Sequence, residues 1–152
     1  MITKMSHTTL FVTDQDKAYD FYVNKLGFKV HTDVTMPQGE CEGDEEEKAK
    51  QVMMRWLTLN APDQPDLEII IMSVNSFDGF DEEARKAIRV LLDRGIMGAG
   101  VFTTPNCRAT YEELKAKGVE FKSEPREQFY GIEAVMLDGC GNWFSVTEPK
   151  MH

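Results

Sequence analysis

The sequence predicts an α+β protein of two tandem βαβββ modules, and three observations predict it. One strand-to-helix passage runs from His7-Thr8-Thr9-Leu10-Phe11-Val12-Thr13-Asp14 to Leu26-Gly27-Phe28-Lys29-Val30. A second, from Gly98-Ala99-Gly100-Val101-Phe102-Thr103-Thr104 to Lys117-Gly118-Val119-Glu120-Phe121, repeats it. Setting Gly27 on Gly118 gives an offset of 91 residues, too long for a solenoid unit and suited to a duplicated module. Strand-like runs follow each passage, and an amphipathic segment joins the halves. The copies differ where chemistry would sit: the first opens on a histidine, the second on glycine and alanine.

The elements follow in order. Residues 6–12 read as a strand, and Thr13 or Asp14 can cap the helix that follows. Ala18, Phe21, Tyr22, Val23 and Leu26 fall at helical spacing, and Gly27 ends the helix in the left-handed conformation. Residues 28–35 form a second strand. The acidic stretch Glu40, Glu42, Asp44, Glu45, Glu46 and Glu47, within residues 38–50, reads as a solvated loop. Val52 to Leu59 is a third strand, and Leu67 to Met72 a buried fourth one interrupted by Glu68. Ser73 to Asp81 has linker composition, and Glu82 to Arg94 is the connecting helix. In the second half, strand 98–104 leads through the cap Asn106 into helix 107–117. Strands 119–122 and 131–137 follow, then the turn Asp138-Gly139-Cys140-Gly141-Asn142 and a last strand, 143–147. The boundaries are 1–75 for the first module, 76–95 for the linker and connecting helix, and 96–150 for the second, within one structural domain.

Bulk properties bound the function. A chain of 152 residues is long enough for a hydrophobic core without staples. Seventeen Lys and Arg against 26 Asp and Glu leave a net charge of −9, which disfavours nucleic acid and anionic membrane surfaces as partners. No apolar run approaches the roughly 20 residues of a membrane span. Met1-Ile2-Thr3-Lys4 lacks the apolar centre of a signal peptide, and Cys41, Cys107 and Cys140 make an odd set of free thiols. A cytoplasmic location is expected.

The segments His7 to Asp14, Ala18-Tyr19-Asp20-Phe21-Tyr22, Leu26-Gly27-Phe28, Tyr111 to Val119, Glu124-Pro125-Arg126 and Asp138 to Asn142 together resemble the vicinal oxygen chelate superfamily. Its members include glyoxalase I, extradiol dioxygenases, fosfomycin-modifying enzymes and bleomycin-resistance proteins. The resemblance covers residues 5–149 and implies a cupped mixed sheet around a cavity, the glyoxalase/bleomycin-resistance fold. In metal-dependent members each module gives two ligands, one from its first strand and one from its last. Carried over, the first module offers His7 and Glu68, suited to Zn, Ni, Mn or Fe. In the second, the ligand positions fall on Ala99 or Gly98 and on Ser145, so half the set is missing. Glu133, Asp138 or Cys140 could substitute, though nothing in their position argues for it. His31 and His152 read as ordinary surface residues.

A carboxylate among Leu67, Ile69, Ile70 and Ile71 needs a partner to offset its desolvation, and His7 is the expected one. By alternation, Thr9, Phe11, Ile70 and Met72 share the face of His7 and Glu68. Met54, Trp56, Phe129, Tyr130 and Trp143 add aromatic and apolar lining, with Trp143 on the face of Ser145. The expected ligand-binding residues are His7, Thr9, Phe11, Trp56, Ile70, Tyr130, Trp143 and Ser145. The resemblance implies a homodimer that binds a small molecule in this cavity. One alternative is a divalent-metal-dependent lyase or isomerase of the glyoxalase I type, using His7 and Glu68. Another is a metal-free enzyme with Glu68 as catalytic base and His7 orienting it.

Overall fold

Strand β1 (His7–Val12) passes directly into helix α1 (Gln15–Tyr19) because Asp14 closes the helix start. Its carboxylate accepts from the backbone N–H groups of Asp16 and Lys17, at 3.0 and 3.1 Å. The helix continues as a wider π-type turn over Asp20–Lys25, which turns the sequence neighbours Phe21 and Tyr22 both into the core. Gly27, at φ +78°, then lets the chain leave. The computed structural model describes residues 1–38, 42–49 and 52–151; Glu40, Cys41 and His152 lie outside them.

Strand β2 (Lys29–Pro37), helix α2 (Glu45–Ala49), and strands β3 (Met53–Asn60) and β4 (Glu68–Ser73) complete the first half. The acidic stretch therefore is not all loop. Asp44 accepts from Glu47 N–H, starting a short helix whose first turn carries Glu45, Glu46 and Glu47. Acidic side chains suit that end of a helix dipole. Helix α3 (Glu82–Asp93) links the modules and is capped by Asp81.

The second half repeats the order as β5 (Met97–Thr103), α4 (Cys107–Ala116, capped by Asn106), β6 (Glu120–Gln128), β7 (Gly131–Leu137) and β8 (Asn142–Pro149). Strand β6 is longer than the sequence suggests and runs across Pro125. Proline cannot donate to a ladder, and the pairing with β7 shifts register between Ser123 and Arg126.

The two sheets share one topology, β1-β4-β3-β2 and β5-β8-β7-β6. In each, the first and last strands of the module run parallel and the other pairs antiparallel. Among the described residues β1 pairs only with β4, and β5 only with β8, so both are sheet edges.

One core joins the modules. Leu10, Val12, Phe21, Leu57 and Ile71 of the first pack with Leu114, Met136, Phe144 and Val146 of the second. Phe102 stacks on Phe144 at 4.3 Å between centroids and meets Phe28 edge-on at 5.3 Å. Polar links cross the same seam: the Tyr22 hydroxyl donates to Asp138 at 2.6 Å, and Asn142 Nδ2 donates to the Phe11 carbonyl at 2.9 Å. Cys107 and Cys140 are free and buried, and burial pushes both thiols up, Cys140 to about 12. No helix among the described residues is long and apolar enough to cross a membrane.

Candidate functional site

The faces turned away from this core carry the candidate chemistry. In β1, Leu10 and Val12 point into the core, so alternation turns His7, Thr9 and Phe11 the other way. The parallel register sets His7 opposite Glu68, Thr9 opposite Ile70 and Phe11 opposite Met72. His7 Nε2 and Glu68 Oε2 are 2.8 Å apart, on one face as the sequence requires.

Two further groups close on the same carboxylate. Thr58, fully buried on β3, donates its hydroxyl to Glu68 Oε1 at 2.8 Å. His31 Nδ1 lies 2.8 Å from that same oxygen. His31 is thus part of the cluster and not the detached surface residue that the sequence suggests. The reason is a bulge. Strict alternation along β2 puts His31 with Asp33, whose side chain is held by Arg55 together with Asp16 of α1. The register slips between Val30 and Thr32, so His31 turns to the face of Glu68 instead. Nothing in the residue pattern of β2 announces that slip.

Around the cluster the face is apolar. Phe11 meets Phe77 and Phe80 of the linker at 5.3 and 5.0 Å, and those two rings meet each other at 4.8 Å. Phe77 and Phe80, which composition places in a plain linker, thereby extend the aromatic lining. Trp56 lies two residues along β3 from Thr58, opposite Val34, and is half-buried. Ile70 is half-buried and Thr9 exposed.

The second sheet gathers a different group. Ser145 donates to Glu133 at 2.5 Å and lies 2.7 Å from the Thr147 hydroxyl. Tyr130 also bonds to Glu133, and that carboxylate raises its phenol above the ordinary value. Glu133 thus serves as the partner of Ser145 and Tyr130. Trp143 is half-buried, donates to the Ile96 carbonyl at 3.3 Å and covers Gly98: a Cβ there would come within 2.7 Å of the indole. An indole therefore fills the space that a ligand side chain at residue 98 would need. Phe129, beside Tyr130, is 88% exposed. Among the described residues no hydrogen bond or ion pair joins this group to the His7–Glu68 cluster of the same chain. Clefts open elsewhere, one against α4 and β6 lined by Tyr111, Lys115 and Glu124, another between the modules lined by Lys17, Lys25 and Glu120. Neither contains an expected ligand-binding residue, though Asp138 lines the second.

The residues present do not fit the four-ligand metal set. His7 and His31 each bond to Glu68, one to each of its oxygens. Among the described residues no three His, Cys, Asp or Glu side chains are arranged to hold a metal ion. Ser145, and Ala99 or Gly98, occupy the positions where the resemblance puts the second module's ligands.

Twin βαβββ modules, each a four-stranded sheet of the same strand order, define the class of this fold. The chain belongs to the Glyoxalase/Bleomycin resistance protein/Dioxygenase superfamily, whose family model matches residues 4–146. It is similar to UcmS2, with 40% identity and a TM-score of 0.80 over 97% of this chain and 99% of that one. YurT of Bacillus subtilis (strain 168) is 32% identical over 145 residues, 95% of this chain and 98% of its own. The fold also matches TnmS3, an antibiotic binding protein from Streptomyces sp. CB03234. That match has 23% identity and a TM-score of 0.66 over 98% of each chain.

Proposed function

We propose that this chain is a small-molecule binding protein whose ligand lies on the open face of the first sheet. The observation that carries this reading is the closed polar cluster of His7, His31, Thr58 and Glu68 set into an aromatic and apolar surface. Such a surface supplies area for an apolar ligand and a few fixed polar groups to orient it, the usual composition of a small-molecule site. Binding of an antibiotic by a protein of this fold, TnmS3, supports the same class of role.

The reading includes a homodimer, in which a second copy brings its Ser145 face over the first copy's Glu68 face. Free edges at β1 and β5 support it, as does Val101, 67% exposed on an edge strand opposite Ser145. The free thiols of Cys107 and Cys140 agree with a reducing, cytoplasmic setting.

Calorimetric titration with 1-methoxynaphthalene, an uncharged aromatic probe, tests the binding face. Saturable binding is expected, weakened at least about tenfold by Phe11→Ala or Trp56→Ala, since each removes a large aromatic contact. Unchanged affinity in both variants would place the ligand elsewhere. Light scattering on the intact chain should return twice its 17.3 kDa mass; a monomer would overturn the assembly.

A further inference from the structure

Resting on that proposed binding face, we infer that His31 Nε2 is the acceptor that selects the ligand, and that the ligand class is an uncharged aromatic molecule with an acidic hydroxyl, a phenol. The geometry starts from Glu68. A carboxylate accepts and cannot donate, so every atom turned to it must carry a hydrogen. Its Oε1 receives Thr58 and His31 Nδ1, and its Oε2 receives His7 Nε2. Each ring thus has its inward nitrogen protonated and, when neutral, its outward nitrogen bare.

The two outward nitrogens are not equivalent. His7 Nδ1 lies 2.9 Å from Ser6 Oγ, which donates to it. His31 Nε2 has no protein partner among the described residues, and its side chain is 51% exposed. Thr32 Oγ1, at 3.0 Å, adds a contact to Nδ1 and leaves Nε2 unengaged. A single oriented lone pair therefore faces the space above the sheet. Trp56 stands two residues along β3 from Thr58, about 7 Å at strand rise, close to the length of a two-ring aromatic. Charge narrows the class further. The chain carries a net charge of −9, which disfavours carboxylates and phosphates as ligands. A phenol satisfies both requirements: it donates one strong O–H and remains uncharged.

The test is a set of calorimetric titrations on wild type and His31→Phe, which keeps an aromatic ring and removes the acceptor. The probes are 1-naphthol, 1-methoxynaphthalene and 1-naphthoate. In wild type, 1-naphthol should bind about tenfold more tightly than 1-methoxynaphthalene, with 1-naphthoate weakest. In His31→Phe the preference for naphthol over its methyl ether should collapse to within about twofold. A preference that survives in His31→Phe, or equal binding of naphthol and ether in wild type, overturns the acceptor and leaves the binding face standing. Failure of all three probes to bind wild type overturns the face and this inference together.

Discussion

Replacing Asp138 with alanine should destabilise the chain by about 4 kcal/mol, the largest effect expected of any single side chain here. Asp138 is 2% exposed and accepts four hydrogen bonds. Two come from backbone N–H groups of its own turn, Cys140 at 2.7 Å and Asn142 at 3.0 Å. The others come from Asn142 Nδ2 at 3.0 Å and, across the seam, from the Tyr22 hydroxyl at 2.6 Å. Asn142 Nδ2 in turn reaches the Phe11 carbonyl, so one carboxylate fixes the β7–β8 turn and ties both modules together. Alanine would leave these donors buried without that acceptor. Tyr22→Phe removes one bond and keeps the ring packed against Phe21, Phe28 and Phe144, so about 1–2 kcal/mol is expected. Urea unfolding followed by circular dichroism measures both. Equal losses for the two variants would show that the three bonds within the turn add nothing to the one from Tyr22.

The same seam fixes the alkaline behaviour. Burial first, then the Asp138 charge, raises the Tyr22 phenol well above its ordinary value and Cys140 to about 12. Folded, both groups stay protonated; unfolded, Cys140 ionises near 9 and Tyr22 near 10. Above about pH 9 the unfolded chain therefore holds fewer protons than the folded one, and stability falls as pH rises. Stability that is flat from pH 8 to 11 would contradict the buried positions of both groups.

The repeat made the architecture legible, because the features that recur are those that geometry demands. Gly27 and Gly118 recur since each lies at positive φ where a helix hands over to a strand. Asp14 and Asn106 recur in role since each fills the first unsatisfied N–H groups of a helix. The pairing of His7 with Glu68 was legible for a similar reason: a carboxylate inside an apolar strand needs a partner, and alternation allowed His7 to be it. His31 was not legible. Its place depends on one extra residue in a β2 pairing, and a bulge leaves no periodic mark in the sequence. Phe77 and Phe80 were hidden by composition, since Asn75-Ser76-Phe77-Asp78-Gly79-Phe80 reads as a polar turn until Phe11 supplies the surface that its rings cover. Ser145 bonds to a carboxylate that its own strand does not carry. Its partner Glu133 comes from the neighbouring strand, a pairing that no single strand displays.

Glu68→Ala decides whether that carboxylate is a base or an orienting group. Thr58, His7 and His31 all bond to it, three groups on its two oxygens, so an orienting role is the one tested. Ring nitrogen NMR on histidine-labelled protein should then show His31 protonated on Nδ1 in wild type. In Glu68→Ala it should shift toward the Nε2–H form, which isolated histidine side chains favour, because the acceptor that held Nδ1–H is gone. The outward nitrogen becomes a donor, so the naphthol preference should vanish although His31 itself is intact. The buried Thr58 hydroxyl also loses its acceptor, a cost of about 1–2 kcal/mol in urea unfolding. Thr32 is the one competitor: its Oγ1, 3.0 Å from Nδ1, can hold the same tautomer. If His31 keeps Nδ1–H in Glu68→Ala, Thr32 is the orienting group. Combining Glu68→Ala with Thr32→Val should then produce the change that the single variant did not.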